Sequence, residues 1–151
     1  MFNLSQREYS AWGTALALLV FGGLYVHSFW RLWQDDGLGG AGAFGLLLGY
    51  TIGLVVVLVI YHVVLALLTG SEPADERDRL IEWRSGYLGG LVLAFGVISI
   101  VIQIFLEGLL DIGHLQSPLA IAHALLLVVF LATFLELGLK LFYYRHGIRG
   151  S

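Results

Sequence analysis

Four long apolar stretches dominate this chain and decide what it can become. They run from about Ala11 to Trp33, Ala41 to Leu68, Gly86 to Leu110 and Pro118 to Tyr144. A bilayer core about 30 Å thick takes about 20 apolar residues per helical crossing. Each stretch reaches that length and is too uniformly apolar for a helix that lies half in water. The expected fold class is therefore an all-α integral membrane protein, a four-transmembrane-helix bundle. Residues 1–151 are expected to form a single transmembrane domain. The first stretch is longer than the roughly 7–15 apolar residues of a cleaved signal peptide. It is expected to remain as a helix.

Composition narrows the function classes. Of the 151 residues, 58% are hydrophobic and 13% charged, and there is no cysteine. That excludes disulfide staples, thiolate-held metals and cysteine nucleophiles. A net charge of −3 without a basic cluster counts against direct binding of nucleic acid.

The arrangement of Lys and Arg sets the expected orientation. Arg7, Arg77, Arg79, Arg84, Lys140, Arg145 and Arg149 fall on one side of a four-crossing chain, against Arg31 alone on the other. The reading is N-in/C-in, with the 70–85 loop cytoplasmic and the cell membrane, as a prokaryotic cytoplasmic (inner) membrane, as the location. Tyr9, Trp12, Trp83, Tyr87 and Phe142–Tyr144 fit the cytoplasmic headgroup belt. Phe29, Trp30 and Trp33 fit the outer one.

Small residues suggest where helices approach. Gly45, Gly49 and Gly53 recur every four residues on the second stretch. Such a stripe lets backbones meet closely in lipid. Its partner is either a helix of the same chain or a second copy, which would make a homodimer. Gly86 and Gly90 offer the third stretch a further pair, and Gly22 and Gly23 thin the middle of the first.

Ionisable residues within crossings are costly, so each needs a partner or a task. An outer set comprises His27, Arg31 and Asp35 on one face of the first stretch, Gln103, Glu107 and Asp111 on the third, and His123 on the fourth. His114 lies in the adjoining loop. Cross-helix pairs such as Arg31 with Glu107 or Asp111 would satisfy them. The sharper alternatives are a proton or ion path, or a ligand site. His27, Glu107 and His123 are the candidate divalent-metal ligands, and His27 with His123 the candidate axial pair for haem. No local metal or haem motif accompanies them, so the expected cofactor is none. An inner set comprises His62, Glu136 and Lys140. Glu136 and Lys140 stand four apart, suited to an intrahelical ion pair, with His62 reaching Glu136 if their helices touch.

The loop Ser71–Arg84 reads as a helix start that runs into the third crossing. Ser71, Pro73 and early acids mark its beginning, and Asp75 with Arg79 has ion-pair spacing. Asp75, Glu76, Arg77, Asp78 and Arg79 form the candidate docking face for a soluble cytoplasmic protein.

The run Ala74-Asp75-Glu76-Arg77-Asp78-Arg79-Leu80-Ile81 resembles the cytoplasmic motif of a group of small, uncharacterised four-span prokaryotic membrane proteins, where it also precedes the third helix. Glu8–Trp12, His62 and Tyr143–Gly147 stand in matching context. The resemblance implies no enzymatic activity. Some small membrane proteins of this general type accompany a helix-turn-helix repressor, so the resemblance implies a sensing or sequestering role with Asp75–Arg79 as the contact region.

Three functions follow as expectations. The first is a non-enzymatic sensing, regulatory or partner-binding bundle. The second is a small proton- or ion-coupled transporter or channel acting as a dimer. The third is a haem- or metal-binding membrane protein using outer-leaflet His and Glu.

Overall fold

The computed structural model describes residues 6–35, 41–69, 75–110 and 117–147. All four expected helices are present: α1 (Gln6–Gln34), α2 (Ala41–Thr69), α3 (Glu76–Leu110) and α4 (Pro118–His146). Each is long and apolar enough to cross a membrane. At 1.5 Å per residue, the 29-residue helices extend about 43 Å, enough for the hydrocarbon core and both headgroup zones. This is a multi-pass membrane protein with an all-α fold.

Two helix starts are written in short side chains. Asp75 caps α3: its Oδ1 accepts from the backbone N–H of Arg77 and, at 3.2 Å, of Asp78. The expected start at Ser71 lies outside the described residues. Asp75 thus uses its carboxylate as a cap rather than in the expected pair with Arg79. Ser117 caps α4, accepting from Ala120 N–H at 3.0 Å, and Pro118 opens the first turn. At the far end Gly147, with φ 72°, returns its N–H to the Tyr143 carbonyl at 3.0 Å. A positive φ is unstrained for glycine, which is why the helix can close there.

The helices do not close into a square. α3 packs along α4, α4 along α1, and α1 along α2, while α2 only grazes α4. Among the described residues the backbones of α2 and α3 do not meet, nor do those of α1 and α3. The order across the molecule is α2–α1–α4–α3. Ala11, Leu18, Leu54 and Leu137 form the apolar core, with Phe21, Leu58, Phe130 and Leu141 packed against it.

Glycines decide where the rows touch, though not always the expected ones. On α3 the stripe Ile81, Ser85, Gly89 and Ile100 is buried. A Cβ on Gly89 would sit 2.9 Å from Glu136 Cβ and 3.3 Å from the Ala132 carbonyl oxygen. One on Gly96 would overlap Val128. These two, rather than Gly86 and Gly90, admit α4: Gly90 faces open space and Gly86 only brushes the Glu136 carboxylate at 3.9 Å. On α1, Gly13 receives the ring of Tyr61. The α2 stripe is divided. A Cβ on Gly53 would sit 3.1 Å from the Phe21 ring, whereas one on Gly45 or Gly49 would meet nothing within 4 Å among the described residues.

Candidate functional site

The structure gathers polar side chains at two levels, separated by the apolar core. The first lies where α1, α2 and α4 converge. Tyr25 and His123 are both fully buried, and the Tyr25 hydroxyl is hydrogen-bonded to His123 Nδ1. Tyr25 follows Leu18 by seven residues and Ala11 by fourteen, so it lies on the buried face of α1. Phe29, one turn on, stands 5.3 Å from the imidazole, and Tyr50 and Phe130 meet Tyr25 edge-on. The Tyr50 hydroxyl is 3.2 Å from Ser28 Oγ. A phenol and an imidazole can each satisfy the other in lipid, where an unpaired polar group is costly. His123 Nε2 is buried and has no hydrogen-bond partner among the described residues.

The second level joins three helices at one end. Arg7 of α1 reaches α3, with Nη1 2.8 Å from Glu82 Oε1 and Nε 3.5 Å from Asp78 Oδ2. Lys140 of α4 meets the same Glu82 oxygen at 3.3 Å. Arg77 donates to the Tyr144 carbonyl at 3.1 Å. The buried Tyr144 hydroxyl lies beside Asp78 and Glu82. Glu82 is the hub, holding one cation from α1 and one from α4. At the same end Tyr61 donates to the Tyr9 carbonyl at 2.6 Å. His62 donates from Nδ1 to the Leu58 carbonyl at 2.8 Å, leaving Nε2 to accept from Ser10 Oγ at 3.2 Å. Arg84, Tyr143 and His146 border a pocket of about 400 Å³ between α3 and α4.

These placements revise several expected contacts. Lys140 pairs with Glu82 across helices instead of with Glu136 along its own. His62 belongs to α1 through Ser10, and does not reach Glu136. Glu136 is half-buried against the Gly89 gap. Its carboxylate has no hydrogen-bond or ion-pair partner among the described residues. Gln103 donates to Glu107 at 3.2 Å, within α3. Arg31 is exposed and forms no described ion pair with Glu107; the backbones of α1 and α3 do not meet among the described residues. Asp111 and His114 lie outside the described residues.

His27 is exposed and sits about 200° around α1 from Tyr25. It therefore points away from His123, so the two do not form an axial pair. No three of the described His, Asp and Glu residues gather around a common centre. His27, Glu107 and His123 accordingly lie apart, and the proposed metal trio is not assembled.

Of the docking residues, Asp75, Arg77 and Asp78 have structural contacts, while Glu76 and Arg79 are exposed. Sequence reasoning missed Tyr25, Arg7 as a bridging cation and Glu82 as its hub. A signal existed for Tyr25: it lies well inside its span, too deep for the interfacial belt, where a phenol needs a partner.

Fold and polar sites together define a multi-pass helical membrane protein with a buried Tyr–His pair at one level and a cross-helix ion network at one end. Comparison with known proteins finds no matching family, no matching curated protein and no matching solved structure.

Proposed function

We propose that this chain is a non-enzymatic sensing or regulatory bundle that binds a soluble partner at its arginine-rich end. One observation carries the reading: the start of α3 is two-sided. Asp78 and Glu82 turn inward to Arg7 and Lys140, tying this segment to the bundle. Glu76, Arg79 and Leu80 turn outward and are exposed. A segment anchored on one face and open on the other can present a fixed surface and pass its displacement into α1 and α4. The clustering of Arg7, Arg77, Arg79, Arg84, Lys140 and Arg145 at this end favours N-in/C-in insertion in a prokaryotic cytoplasmic membrane. The resemblance of the Ala74–Ile81 run to small four-span membrane proteins points the same way. The test is affinity purification from native membranes of wild type against Glu76→Arg/Arg79→Glu. A stoichiometric partner should be recovered with wild type and lost with the variant. Equal recovery with both would remove the docking surface.

A second reading, a proton- or ion-coupled dimer, is favoured by Glu136. Its carboxylate lies about ten residues, or about 15 Å, from the end of α4, without a described partner. The open Gly45 and Gly49 would give a second copy a place to pack. Against it stand Leu18, Phe21, Leu54, Phe130 and Leu137, which fill the space between the two polar levels. Proton flux in liposomes that falls with Glu136→Gln would favour this reading over the first.

A further inference from the structure

Two apolar depressions on the outer side of the α1–α4 seam have a shared wall. One, about 460 Å³, is lined by Leu18, Gly22, Gly23, Val26, Phe130 and Phe134, among others. The next, about 200 Å³, is lined by Trp12, Ala15, Leu16, Gly138 and Leu141. Leu19 and Phe134 border both, so they form one furrow. Gly22 and Gly23 on α1 and Gly138 on α4 deepen it, since no side chain fills those positions. At its end, Arg145 holds its guanidinium carbon 5.2 Å from the centre of the Trp12 ring. Arg145 is exposed.

We propose that this furrow binds one acyl chain of an anionic phospholipid, with Arg145 meeting the headgroup phosphate. Length is the first argument. From Trp12 to Val26 is fourteen residues of α1, about 21 Å. A bilayer about 40–45 Å thick with its headgroups gives each leaflet about that depth. The furrow therefore runs from the headgroup zone to about the midplane and stops. Charge is the second argument. The furrow's walls are apolar along their length, and a cation stands at the end that reaches the membrane surface. That is the order of parts in a lipid: hydrocarbon, then phosphate. A guanidinium suits phosphate because it offers several donors in one plane. Glu8 lies one turn before Trp12 on α1, so the outcome is a preference for anionic lipid rather than exclusion of neutral lipid. The inference does not depend on the docking surface at α3, which lies on a different helix.

Native mass spectrometry tests it, on protein reconstituted with equal phosphatidylglycerol and phosphatidylcholine and then released from detergent. Gly23→Phe and Gly138→Phe fill opposite ends of the furrow, and a Cβ at either position meets nothing within 4 Å. Circular dichroism and thermal melting establish that each variant is folded, and two independent positions keep the test decisive if one is not. Wild type should retain one lipid per chain, favouring the glycerol headgroup by about fivefold, the factor for one arginine near an anionic surface. Both filled variants should lose it. Arg145→Gln should keep a lipid but lose the headgroup preference. Retention unchanged in a folded filled variant would overturn the proposal. So would equal retention of the two lipids by wild type and Arg145→Gln. A lipid-free wild-type dimer that becomes monomeric in the filled variants would assign the furrow to a second copy instead.

Discussion

At the residue scale, the Tyr25–His123 pair shows how lipid changes the value of a hydrogen bond. Neither group can turn to water, so removing one partner leaves the other buried and unsatisfied. Tyr25→Phe should destabilise the fold by about 1–3 kcal/mol. Tyr25→Phe combined with His123→Leu should cost less than the two single changes added together, because no orphan remains. Thermal melts of the four proteins in one detergent measure that coupling; strict additivity would mean the bond contributes nothing. The ion network is a different case. Arg7 and Glu82 are partly exposed, with side-chain exposures of 26% and 42%. Glu82→Gln should therefore cost about 1 kcal/mol or less despite losing two cations, and high salt should shrink the difference. A salt-independent loss of several kcal/mol would contradict a screened, water-facing network.

At the element scale, glycine positions carry the packing. Gly89→Val must displace the Glu136 stem and the Ala132 carbonyl, and Gly96→Val must displace the branched Val128. Each should destabilise by about 1–3 kcal/mol through overpacking, whereas Gly90→Val should stay within about 0.5 kcal/mol. Melting curves for the three variants check this, and equal effects would show that α3 does not meet α4 along that stripe. The four helices, their approximate ends and the run of α3 out of the loop were legible, because length and hydropathy report them directly. The choice between Gly86/Gly90 and Gly89/Gly96 was not. In water a buried face is apolar and the other polar, so periodicity marks the contact. In lipid both faces are apolar, and a helix such as α2 carries no Asp, Glu, Lys or Arg to mark its orientation.

At the scale of the whole molecule, the row α2–α1–α4–α3 explains the misplaced polar pairings. Arg31 with Glu107 presupposes α1 and α3 backbones side by side, which the row separates, and His62 with Glu136 presupposes closer packing than the slight contact between α2 and α4. Residue type alone marked the candidates, but their pairing depends on which helices are neighbours, and no local motif encodes that. His123 was visible as an intramembrane imidazole, while its partner Tyr25 was hidden among ordinary aromatics. The same row leaves both faces of the molecule open to lipid and places the two-sided start of α3 beside the ends of α1 and α4. The central claim is that this outward face of α3 binds a soluble partner. A photo-crosslinking residue placed in turn at Glu76, Arg79 and Leu109 tests it in intact cells. The account predicts one discrete protein adduct from positions 76 and 79 that is absent from 109, at the opposite end of α3. No adduct from 76 or 79, or the same adduct from all three positions, would contradict it.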